Sequence, residues 1–167
     1  MNSLKEKTGR GKTSEMKKQV LFFHGAGQEG YRADAALFAS LQTELGNNYQ
    51  VRYPLLIPDE TLENFAPIWL NIMEKEILSF KSDLILVGHS LGASMALKYL
   101  SETNIETNIE GVFLIATPFW SGEEDWVKPF KLKENFADNL PKGIPFFYYH
   151  CKDDEEVPFK QFTSYQQ

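Results

Sequence analysis

The chain has 167 residues, of which 43% are apolar and 24% charged, a length and balance that bound it to one globular domain with a substantial core. Its 23 Asp and Glu against 17 Lys and Arg give a formal charge of −6, spread along the chain with no basic patch, so nucleic acid is excluded as an expected partner. A single cysteine, Cys151, rules out an internal disulfide, and the three separated histidines, His24, His89 and His150, lack zinc-ligand spacing; the expectation is a protein without metal or cofactor in a reducing, cytoplasmic compartment.

Residues 1–15 are polar and mixed in charge, and read as a disordered extension before a domain over 16–167. Within them Gly9 to Thr13 imitates a phosphate-binding loop, but Glu6 stands where its first glycine belongs and no strand precedes it. Lys17 and Lys18 followed by Val20 to Phe23 imitate a signal peptide, yet the apolar run is too short and ends at His24; neither export nor a membrane span is expected.

From Val20 onward, short apolar runs alternate with helical patterns, as in βαβ units around a parallel sheet. Strands are predicted at Val20–Phe23, Gln50–Tyr53, Leu84–Val87, Val112–Ile115 and Ile144–Tyr149. Helices are predicted at Arg32–Leu45, with Ala36, Leu37, Leu41 and Leu45 as its apolar positions, at Leu62–Phe80 and at Ala93–Ser101. Right-handed crossovers give a doubly wound α/β sheet of about five strands in the order 2-1-3-4-5, with helices on both faces. The stretch Thr117–Pro141 is the one long irregular region; it leaves the C-terminal edge of a strand, where loops surround the ligand site of such sheets.

Three features converge on that edge. Gly88-His89-Ser90-Leu91-Gly92 joins a strand to a helix, and glycines two places either side of Ser90 permit a turn tight enough to lift its hydroxyl clear of the sheet. The first strand ends in His24-Gly25-Ala26-Gly27, whose small residues let backbone N–H groups approach a substrate oxygen, with Leu91 supplying a second donor. The fifth strand ends in the acidic run Asp153 to Glu156, where a carboxylate is suited to orienting a histidine base.

With these residues, together with Ala116-Thr117-Pro118-Phe119-Trp120 and the run from His150 to Pro158, the sequence resembles the α/β-hydrolase superfamily, and within it the compact serine hydrolases with minimal cap. The resemblance implies a three-layer sandwich, with Ser90 as nucleophile, Ala26 and Leu91 as oxyanion-hole donors, and Asp154, four residues before Pro158, as the acid in preference to Asp153. It implies a small-molecule acyl substrate held by candidate pocket residues His24, Phe119 and Trp120, with Trp126 a further aromatic there. In relatives a histidine follows the acid after one further strand, but none occurs between Asp154 and Gln167. His24 and His89 are poorly placed as substitutes, which leaves His150 as the remaining candidate base. The expectation is thus a sheet lacking its C-terminal strand, weak activity, and self-association through the unpaired edge of the fifth strand. Two functions follow: acyl-bond hydrolysis through an acyl-serine, or a catalytically impaired or non-catalytic binding protein of the same fold.

Overall fold

A computed structural model describes residues 16–56 and 65–165. The predicted extension over 1–15 and the predicted first helical residues from Leu62 lie outside them. Five strands, β1 (Lys18–Phe23), β2 (Tyr49–Arg52), β3 (Leu84–His89), β4 (Ile109–Ile115) and β5 (Phe146–Tyr149), form one sheet in the order β2-β1-β3-β4-β5. Every neighbouring pair is parallel, with Val20 opposite Val51 and Ile85, Val87 opposite Phe113, and Phe113 opposite Phe147. The expected doubly wound topology is the one adopted.

Alternation along β1 divides the interior in two. Leu21 and Phe23 face a large core shared with Leu84, Leu86, Val112 and Leu114, covered by α2 (Phe65–Leu78) and α3 (Leu91–Glu102). On α2 the buried residues Ala66, Trp69, Met73 and Ile77 recur every third or fourth position, one stripe of a helix laid on a sheet. On α3 nearly every residue from Leu91 to Ser101 is buried, as expected of a helix enclosed by its neighbours. Val20 and Phe22 point the other way, into a smaller cluster with Val51 and Val87 beneath Leu37, Phe38, Leu41 and Leu45 of α1 (Gly27–Leu45). Each fully buried side chain of this size contributes about 1.5–3 kcal/mol, so the two-faced strand β1 anchors both halves of the core.

The boundaries differ from expectation for local reasons. Helix α1 starts at Gly27, not Arg32, because Gly30 N–H already bonds Ala26 O at 2.9 Å; Gly27 and Gly30 hide that turn from a propensity reading. Strand β5 starts at Phe146, since Pro145 has no N–H to donate to the ladder, although its carbonyl accepts from Val112 N at 3.0 Å. The irregular stretch after β4 contains a 3₁₀ turn at Lys128–Phe130 and the short helix α4 (Phe136–Asn139), and Phe159–Tyr165 forms a 3₁₀ helix. Over β4 and β5 the face on the α1 side is thinly covered, and Phe147 and Tyr149 stand 43% and 54% exposed.

Candidate active site

Ser90 occupies the step from β3 to α3 with φ 51° and ψ −123°, a left-handed conformation that costs a non-glycine residue about 1–3 kcal/mol. The surroundings hold it there. Ser90 N–H bonds Ile115 O at 2.9 Å on the next strand, while Ser90 O accepts from Ala93 N at 3.0 Å and Ser94 N at 3.2 Å. The flanking glycines are required by close approach: a Cβ on Gly92 would lie 2.4 Å from both Phe23 O and His24 O, and one on Gly88 would lie 2.6 Å from Ala93 Cα. The strand-turn-helix read from the sequence is therefore a true elbow, strained at the serine and locked by backbone contacts on both sides.

Two helix N-termini meet at this point, because Ala26 precedes the first turn of α1 as Ser90 precedes that of α3. First-turn N–H groups have no intrahelical partner, and the helix dipole adds partial positive charge there. Ala26, Ser90 and Leu91 line one cavity of about 530 Å³, walled by Phe65, Pro118, Phe119, Trp120, Trp126 and Phe130. Trp120 is fixed by an indole N–H bond to Ser94 Oγ at 2.9 Å and packs against Phe130 with centroids 5.0 Å apart, whereas Trp126 is 64% exposed. Gln161 Oε1 accepts from Phe119 N at 2.8 Å, and the Tyr165 hydroxyl donates to Pro118 O at 2.8 Å, so the 3₁₀ segment braces the wall. Val157 and Glu156 complete the lining on that side.

The three histidines have separate surroundings. His24 is fully buried and does not line the cavity; its Nε2 accepts from Leu56 N at 2.9 Å, which makes Nδ1 the protonated nitrogen, donating to Gly25 O at 2.7 Å. Burial lowers its pKa from the usual 6.5, in keeping with that neutral tautomer. His150 is turned into its own loop, with Nε2 at 2.7 Å from Val157 O and 3.7 Å from Asp154 Oδ2, among Phe159 and Phe162. Asp154 Oδ1 accepts from Val157 N at 2.8 Å and Glu156 N at 3.1 Å, and Asp153 is exposed.

His89 Nδ1 lies 2.8 Å from Asp34 Oδ1, with the ring N–H not aligned for a directional hydrogen bond. Asp34 escaped the sequence reading, although a signal was present. It falls on the same helical face as Leu37, Leu41 and Leu45, and a carboxylate within an apolar stripe is costly unless it is bonded.

A parallel doubly wound sheet with a serine elbow at the C-terminal edge of its third strand defines an α/β-hydrolase. The chain belongs to the serine hydrolase family, whose model matches residues 34–167. Among solved structures it is similar to the ydeN gene product from B. subtilis, at 19% identity and TM-score 0.62, over 90% of this chain and 80% of that one. It is similar also to the esterase EaEST from Exiguobacterium antarcticum, at 15% identity and TM-score 0.58, over 88% and 78%. A bromoperoxidase from Bacillus anthracis matches at 14% identity and TM-score 0.59, over 87% and 78%. At these identities the likeness is one of fold. No curated protein matches the chain in sequence.

Proposed function

We propose that this serine hydrolase cleaves an ester, thioester or related acyl bond of a small molecule through an acyl-serine intermediate on Ser90. Ser90 Oγ attacks the acyl carbon while a base takes its proton; the tetrahedral oxyanion collapses, the alcohol or thiol leaves with a proton, and water releases the acid in a second addition. Ala26 and Leu91 N–H groups are the proposed oxyanion donors, and Asp154 the proposed acid. The observation that carries the reading is the strained Ser90, held between two helix N-termini on the wall of an aromatic cavity. The lining favours acyl groups with apolar or aromatic bulk.

A second reading is a catalytically impaired hydrolase or a binding protein of the same fold. It is favoured by one observation: among the described residues, no histidine lines the cavity with Ser90. Labelling by a fluorophosphonate separates the two. The hydrolase reading expects covalent modification at Ser90, lost in Ser90→Ala; absence of modification in the unaltered chain would favour the binding protein. Loss of labelling in a folded His150→Ala variant would make His150 the base despite its bond to Val157 O.

Among the described residues no helix is long and apolar enough to cross a membrane. We further propose a cytoplasmic setting, which suits the exposed free thiol of Cys151. Self-association through β5 belongs to the same proposal. That strand pairs only with β4 among the described residues and exposes Phe147 and Tyr149. Sedimentation of the chain against Tyr149→Lys tests it: a monomer in both would reject it.

A further inference from the structure

Asp34 is the one residue of α1 that is buried. A helix that covers a sheet ordinarily buries aliphatic side chains, and a carboxylate in their place loses its hydration. Its two oxygens are both engaged at the site. Oδ2 accepts Gly25 N–H at 2.7 Å, and Oδ1 lies 2.8 Å from His89 Nδ1. Gly25 belongs to the turn after β1 and His89 directly precedes Ser90, so one side chain spans the two strand ends that meet at the cavity. Gly25 sits between Asp34 and Ser90, so that a Cβ built on it would be in ordinary van der Waals contact, 3.6 Å, with both Asp34 Oδ2 and Ser90 Cβ.

The effect on the backbone follows from peptide geometry. Gly25 N–H is fixed by Asp34, and Gly25 C=O is fixed by the buried ring of His24 at 2.7 Å. The Gly25–Ala26 peptide is trans, so the Ala26 N–H points opposite to that carbonyl, away from the His24 ring. Ala26 lines the Ser90 cavity. With both polar groups of Gly25 held, the plane of the Gly25–Ala26 peptide, and so the direction of this N–H, is constrained.

We propose that Asp34 is a positioning residue, which aligns the Gly25–Ala26 peptide so that its N–H meets the oxyanion of an acyl group attacked by Ser90. The role rests on the serine-nucleophile reading and adds a residue to it. Asp34 touches neither substrate nor the reacting atoms; it acts through Gly25, and its contact with His89 ties the same turn to the elbow.

The test is the kinetics of fluorophosphonate labelling at Ser90, resolved into a saturation constant and a maximal rate, for the unaltered chain, Asp34→Ala and Asp34→Asn. Asp34→Ala removes the acceptor and should lower the maximal rate by about 10²-fold, as loss or misplacement of one oxyanion donor does, with the saturation constant unchanged. Asp34→Asn keeps an acceptor without the charge and should recover part of that rate, remaining about three- to tenfold below the unaltered chain at an unchanged saturation constant. A purely structural role would lower melting temperature without splitting the two constants in this way. If Asp34→Ala does not fold, Asp34→Asn decides: a reduced rate at constant saturation supports the role, and an undiminished rate overturns it. Folded variants that label at the original rate, or that lose only binding, overturn the role and leave the nucleophile standing. No labelling of the unaltered chain overturns the nucleophile reading and this role together.

Discussion

Replacing Gly92 by Ala tests whether the elbow depends on backbone contact. The added methyl would lie 2.4 Å from Phe23 O and from His24 O, whereas a carbon-to-oxygen contact needs about 3.3 Å. Helix α3 would therefore have to withdraw from β1 by about 0.9 Å, carrying the Leu91 N–H with it. Both opposing atoms are backbone, in and just after the buried end of β1, so the cost belongs near the upper end of the overpacking range, about 3 kcal/mol. Better helix propensity returns about 1 kcal/mol, leaving about 2. For a domain of this size that lowers Tm by about 4–8 °C, and a donor misplaced by about 1 Å slows the chemistry by about 10²-fold. Thermal unfolding by circular dichroism and the rate of Ser90 labelling measure the two effects. Gly111→Ala is the control: its Cβ meets nothing nearer than Phe113 Cε2 at 3.5 Å, and its Tm should stay within about 2 °C of the original. A Gly92→Ala protein that melts as Gly111→Ala does and labels at the original rate would refute the reasoning.

Ser90→Gly should abolish labelling yet raise Tm by about 2–4 °C, because glycine accepts φ 51° without strain; a lower Tm would show that the serine side chain stabilises the turn. Stability should fall as pH drops below about 6.5, since buried His24 has a depressed pKa: the unfolded chain takes up the proton there and the folded chain does not. The slope attributable to His24 is at most about 1.4 kcal/mol per pH unit and should disappear in a folded His24→Asn variant; denaturant titrations from pH 7.5 to pH 5 would expose an unchanged slope. Trp120→Phe keeps the aromatic wall but removes the 2.9 Å bond to Ser94 Oγ, so unfolding should be easier by about 1 kcal/mol, with larger acyl groups bound less tightly; equal KM across an ester series would contradict the placement of that wall. Asp154→Asn should reduce ester turnover by orders of magnitude and Asp153→Asn should leave most of it, with the reverse result reassigning the acid.

The strands and the elbow were legible in the sequence because each rests on a local pattern, and the strand order followed from the handedness of the crossovers between them. Charge-free runs such as Leu84 to Val87 cannot lie at a solvated surface, and G-x-S-x-G between such a run and a helix former has few ways to turn. Short-range effects also explain the missed starts: Gly27 and Gly30 conceal the first turn of α1, and Pro145 shortens β5 by lacking a donor. The site depended on distance in space. Which carboxylate reaches the serine's neighbourhood is decided by how α1 packs across β1 and β3, and that brings Asp34 to Gly25 and His89 while Asp154 bonds the amides of its own loop. The fate of each histidine was likewise tertiary. His24 is bonded on both ring nitrogens only because the chain after β2 returns Leu56 to it, and His150 is drawn to Val157 O by a fold of its own loop. Sequence determines the pattern of burial along each element, whereas hydrogen-bond partners more than a few residues apart exist only after the elements have packed.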